Sequence, residues 1–246
     1  MSRNPEPSAL DCLVYVALLS RKYRVKRWEL WATKGISNFI HGFPLLDISP
    51  SRTFVRLFRF ATLCHDTQLR RTIEDKWITR LNSNDLSPIP AILIANELND
   101  RELLGRALYA YVIIVEPRIS NSQRIDLDSP FSPQLNLHVL SGYYALQAYW
   151  KDLCDDPPEF KQTGGCTAHT DCLNTWKPRW SVAISRQPPR VSRIDIISRL
   201  RFAEKSLRAD SACITYMTEK CRESALQAVS QKRVSLALNM HHIFDL

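Results

Sequence analysis

Leu86-Ser-Pro-Ile-Pro-Ala-Ile-Leu-Ile-Ala-Asn-Glu-Leu-Asn-Asp-Arg-Glu-Leu-Leu-Gly-Arg-Ala-Leu-Tyr-Ala-Tyr-Val-Ile-Ile114 decides the fold class. It reads as two helices joined by a tight corner. Ser87 before Pro88 is an N-cap with proline at the first helical position, where a missing N–H costs nothing. Asn99 with Glu102 three residues later forms a capping box, so a second helix is expected to start there. Leu104, Ala107, Leu108, Tyr111 and Val115 then fall at i, i+3, i+4, i+7 and i+11, one apolar stripe facing a core. No group in the stretch is arranged for chemistry.

The style repeats outward in both directions. Helices are expected at about Ser8–Lys22 and Val25–Ile40, the second carrying Trp28, Trp31 and Phe39. Gly42 to Pro50 reads as a linker. Phe54, Leu57, Phe58 and Ala61 share a stripe that ends near Cys64. Leu69, Ile73, Trp77 and Leu81 follow at steps of four, leaving Arg70, Arg71, Glu74 and Lys76 for water. Residues 117–133, rich in proline and serine, read as a long surface loop. Further helices are expected at Leu135–Leu153, around Leu173, Trp176 and Trp180, and at Ile194–Arg208 and Glu219–His241. No alternating strand pattern occurs. The expectation is an all-α, multi-helix bundle of consecutive antiparallel helix pairs.

Composition agrees. Hydrophobic residues make up 45% and charged residues 24% of the 246, ordinary for a globular chain and wrong for a disordered one. Only 6 residues are glycine, which disfavours nucleotide folds built on glycine-rich loops. No apolar run approaches the ~20 residues that span a bilayer, so no membrane partner is expected. The run Cys12–Leu19 follows Pro5, Glu6 and Pro7 rather than a basic segment, which argues against a signal peptide. Seven cysteines without regular pairing point to a reducing compartment, cytoplasm or nucleus. A net charge of +8 invites a nucleic-acid reading. Only Arg21, Lys22, Arg24, Lys26 and Arg27 cluster, however, and a nucleic-acid face needs a continuous basic stripe.

Cys166-Thr-Ala-His169-Thr-Asp-Cys172 is the strong local pattern. Three soft or borderline ligands lie behind the Gly164-Gly165 turn, and zinc takes four in a tetrahedron. Cys221 is the first choice for the fourth, with Cys213 and Cys154 as others. A structural zinc ion held by Cys166, His169, Cys172 and Cys221 is thus one expectation. The competing one is that these cysteines are small core hydrophobes, with Trp176 and Trp180 as core anchors above them. Cys64-His65-Asp66 offers nucleophile, base and orienter only on paper. Helix neighbours point about 100° apart, so a helix C-terminus explains it better. No Gly-x-Ser-x-Gly, phosphate-binding loop, dinucleotide fingerprint or His-Glu-x-x-His is present. No catalytic residue and no cofactor site are assigned.

The order of segments resembles fungal, chiefly mushroom-type, BTB/POZ-domain proteins in the helical region that follows the BTB fold. The matching pieces are Lys22-Tyr23 with Glu29-Leu-Trp-Ala32, Ser51-Arg-Thr-Phe54 through Cys64, Lys76-Trp-Ile78 and Leu86 through Leu93. Leu140-Ser-Gly-Tyr-Tyr144 with Trp150, Pro157-Pro158, and the Cys166/His169/Cys172 run with Trp176, Trp180 and Cys221 complete them. The resemblance runs from about Leu10 to the end. It implies residues 1–42 as a remnant of the last helices of a BTB domain and 43–246 as an α-helical domain, with the strand-rich BTB core missing. It also implies a non-enzymatic interaction scaffold or adaptor with a protein partner. The alternatives are a nuclear regulatory protein touching DNA or chromatin through a basic surface, and an enzyme whose site shows no motif.

Overall fold

The computed structural model describes residues 7–42, 45–121 and 130–246. Among these, thirteen helices and no strand are found, so the chain is all-α. It divides into two compact units, residues 1–111 and 112–246. The dividing point falls inside one helix.

In the first unit, α1 (Pro7–Lys22) packs on α2 (Lys26–Gly42) and on α4 (Ser51–Leu63). The N-terminal helices are thus tied to the rest of this unit, and Arg56 of α4 donates to Asp11 of α1 at 2.6 Å. The expected linker holds a short helix, α3 (Leu45–Ile48), whose Leu46 is buried. Arg80 of α5 (Thr67–Asn82) pins this segment by donating to the carbonyls of Leu46, at 3.0 Å, and Ser49. Trp77 anchors the core, with no exposed surface, stacked 5.3 Å from Phe54 and edge-on 6.4 Å from Phe58. Glu74 corrects the expectation that it faces water: it is buried and accepts from Arg106 at 2.8 Å. Burial raises its carboxyl above the usual range, against the opposing pull of Arg106.

The opening corner is real, but its cap sits one residue later than expected. α6 (Ile89–Glu97) ends, and α7 (Arg101–Ser120) begins, around Asn99 and Asp100. Asn99 has a φ of 52°, and the amide of Asp100 returns to the Ala95 carbonyl at 2.8 Å. That is the left-handed closure usually given to glycine. Asp100, not Asn99, then caps α7 by accepting from the Leu103 amide at 3.1 Å. His65 (φ 55°), Asn84 (φ 62°) and Arg24 (φ 59°) close α5's predecessor, α5 and α1 in the same way. So few glycines suffice because other residues bear left-handed backbone. His65 is a turn residue, and the next residue, Asp66, caps α5 by accepting from Leu69 at 2.9 Å.

In the second unit, the region expected to be a loop from 117 to 133 is in part helix. α7 continues through Pro117 to Ser120, and α8 (Pro133–Asp155) starts under a Ser132 cap; residues 122–129 lie outside the described part. α9 (His169–Ser185) is the hub, packing on α8, α10 (Ile196–Arg208), α11 (Ser211–Tyr216) and α12 (Glu219–Leu238). Trp176 and Trp180 are buried within it, 6.1 Å apart, and Trp180 Nε1 donates to the Leu153 carbonyl at 2.9 Å. They are core anchors, as expected. α13 (Met240–Ile243) closes the chain, delivering Phe244 onto Gly142 of α8.

Candidate metal centre

Two helix N-termini and one turn bring the cysteines and histidine together in the second unit. His169 is the first residue of α9, and Cys172 lies one turn on. Cys221 is the third residue of α12, which begins after Thr218. Cys166 comes from the preceding turn, where Gly165 has a φ of 89° that an L side chain rarely adopts. The Cys166 amide closes that turn on the Thr163 carbonyl at 3.1 Å.

The ligand atoms of Cys166, His169 and Cys221 all lie within 4.8 Å of one another. His169 Nδ1 is 3.6 Å from Cys221 Sγ. Cys172 Sγ is 3.9 Å from Cys166 Sγ, which attaches it to this set through one member. A tetrahedral zinc ion with Zn–S near 2.3 Å and Zn–N near 2.0 Å spaces its sulfurs about 3.8 Å apart and sulfur from nitrogen about 3.6 Å. The two short pairs, Cys166 with Cys172 and His169 with Cys221, have the lengths of edges of such a tetrahedron. Within the set Cys166, His169 and Cys221 the longest separation need only close by about an ångström. Cys213 and Cys154, the other sequence candidates, are not in the cluster.

The surroundings suit thiolate ligands. Burial alone would raise the Cys221 thiol, but hydrogen bonds from Thr163, Thr218 and His169 outweigh it and hold it down to about 5. Thr163 Oγ1 is 3.3 Å from Cys221 Sγ. Thr218 Oγ1, which makes no cap bond to its own helix, is 4.0 Å from Cys172 Sγ. Such outer contacts are what orient metal-binding sulfurs. The position of Cys221 in the first turn of α12 adds the favourable end of the helix dipole. Cys172 goes the other way, its thiol raised mainly by burial. Cys213 is pushed up to about 11 by burial and by Asp210, in keeping with an inert core thiol.

Three of the cluster's four side chains are buried and His169 is half-buried. Its ring lies edge-on to Phe160 at 5.4 Å, and Phe160 in turn packs against Trp176 at 5.9 Å. An open groove of about 280 Å³ runs beside it, lined in part by Asp156, Glu159, His169 and Lys177. The two threonines were not singled out from sequence, because nothing in their spacing ties them to cysteines 46 and 58 residues away.

Among the described residues, no helix is long and apolar enough to cross a membrane. No family model matches this chain, and no curated protein or solved structure matches it.

Proposed function

We propose that this chain is a non-enzymatic protein-interaction scaffold or adaptor working inside the cell, with a structural zinc ion on Cys166, His169, Cys172 and Cys221. The observation that carries this reading is the build of the Cys/His cluster. Its donors are all soft or borderline, its sulfurs are buried, and four protein donors are on hand for a tetrahedral ion. A catalytic zinc keeps a position open for water or substrate, whereas a structural one is closed by protein. The ion would tie the turn at Gly165 to the start of α12, holding the hub helix α9 for whatever docks elsewhere. The resemblance to the helical region of fungal BTB/POZ proteins points the same way.

A second reading, contact with DNA or chromatin, draws on Lys22, Arg24, Lys26 and Arg27, which are all exposed. It expects duplex binding that falls steeply with salt. An enzyme would have to use the groove beside His169. Proximity labelling in the native cell, run beside a hydrolase and transferase screen on the purified chain, tests the scaffold. A reproducible set of neighbouring proteins with no turnover is the expected result. Turnover abolished by His169→Gln or Glu159→Gln would overturn it.

A further inference from the structure

α1 is apolar nearly all round, and half of that surface is uncovered. Leu10, Val14 and Ala17 are buried on one side. On the other side, every exposed position from Ala9 to Leu19 is non-ionic: Ala9, Cys12, Tyr15 and Leu19. The sole charge in that span, Asp11, is paired with Arg56 at 2.6 Å. Cys12, Tyr15, Leu19 and Tyr23 step by three, four and four, one stripe about 16 Å long at 1.5 Å per residue. Tyr23 continues the helix, its amide bonded to the Leu19 carbonyl at 2.9 Å. Tyr15, Leu19 and Tyr23 are 56%, 53% and 68% exposed. A helix that is hydrophobic all round is normally buried, and contiguous exposed apolar surface of this kind marks an interaction site.

The charge around the stripe selects the partner. Residues 21–34 carry six basic side chains, Arg21, Lys22, Arg24, Lys26, Arg27 and Lys34, against one acidic, Glu29. That glutamate is already engaged with Arg21 at 3.7 Å. Trp28 and Trp31 of α2, edge-on to each other at 5.7 Å, are also more than half exposed. We propose that the α1 stripe, with the basic end of the α1–α2 pair, docks an acidic amphipathic helix of a protein partner. This rests on the scaffold reading and names the chemistry of its partner.

Other occupants fit less well. A second copy would bring the same positive charge. Duplex DNA would leave Tyr15 and Leu19 with nothing apolar to cover them. A bilayer surface takes the apolar face of a helix lying in its plane, and it is the occupant that the vesicle measurement below separates from a protein helix. A helix laid alongside α1, with apolar residues at i, i+3 or i+4 and i+7, covers the stripe and sets its carboxylates against the basic cluster.

A displayed random peptide library selected on the full zinc-loaded chain tests this. Enriched peptides should carry Leu, Phe or Trp at helical spacing among Asp and Glu. Affinity of the best peptide, read by fluorescence anisotropy, should fall at least tenfold with Leu19→Asp and with Tyr15→Gln. It should also weaken with salt and with Lys26→Glu combined with Arg27→Glu. Leu19 and Tyr15 are exposed, so both single variants should keep the parent's circular dichroism; the milder Tyr15→Gln decides the matter if Leu19→Asp does not. The proposal is overturned by no enrichment, by neutral or basic winners, or by peptides indifferent to Tyr15→Gln. It is equally overturned by self-association, or by capture on phosphatidylserine vesicles, that these variants abolish. None of those outcomes touches the scaffold reading, which fails on turnover or on an empty set of neighbours.

Discussion

Gly142→Ala should destabilise the second unit although alanine is the better helix former. Gly142 lies within α8, and a Cβ built there would sit 2.1 Å from both Cδ1 and Cε1 of Phe244 and 3.0 Å from its Cγ. Carbon atoms in contact prefer about 3.5–4.0 Å, so the ring would have to retreat by more than an ångström. Phe244 has no exposed surface and no slack. It is also held by its backbone, its carbonyl 2.9 Å from His138 Nδ1, while Ser141 Oγ donates to the next residue, Asp245, at 3.2 Å. Complete loss of a buried phenylalanine costs about 3–5 kcal/mol, and overpacking about 1–3 kcal/mol. Against this, alanine gains about 1 kcal/mol of helix propensity over glycine. The net expectation is a loss of about 2 kcal/mol, read as a lower urea midpoint at unchanged slope. The control is the same change in a Phe244→Ala background, where the clash is gone and alanine should be neutral or stabilising. A Gly142→Ala protein as stable as its parent would refute the packing argument.

Three further outcomes are expected. His65→Gly should stabilise the first unit by about 0.5–1 kcal/mol in thermal melts, since the left-handed backbone at φ 55° costs a non-glycine residue about 1–2 kcal/mol and glycine's extra chain entropy returns part of it. Asp210 accepts from Arg179 Nε at 3.0 Å on both oxygens and caps α11 through Cys213. Burial would raise its carboxyl, but the Arg179 bonds hold it below the usual range. Its contribution is therefore present above pH about 4 and lost as pH falls through the lowered value, so in acid the parent should lose more stability than Asp210→Asn, which keeps the cap. Chelation should lower the melting temperature of the zinc-loaded chain, and restoring free zinc to 100 times its dissociation constant should return about 2.7 kcal/mol; equal melts with and without chelator would contradict a folding-linked ion.

The helices were legible because periods of three and four persist where one face is buried, as in Leu69, Ile73, Trp77 and Leu81. Where they begin and end was less so. Asn99 and Asp100 are both good capping residues, and only the left-handed backbone of Asn99 shows that it ends one helix while Asp100 starts the next. Glu74 was misread because its burial depends on Arg106, 32 residues away. The helical turn at Leu45–Ile48 and α11 at Ser211–Tyr216 are too short to establish a period. The cluster was half legible: Cys166, His169 and Cys172 are close in sequence, and Cys221 stood out by its place at a helix start. The exposure of Tyr15, Leu19, Trp28 and Trp31 was not, since an apolar residue carries no mark of which helix face lacks a partner.

The account stands or falls most directly on the metal content of protein purified without chelator, measured by inductively coupled plasma mass spectrometry. It predicts one zinc ion per chain, lost in Cys221→Ser and Cys166→Ser and sharply weakened in Cys172→Ser, with Cys213→Ser unchanged. A metal-free chain that stays metal-free in added zinc would contradict it and leave the four residues as ordinary packing.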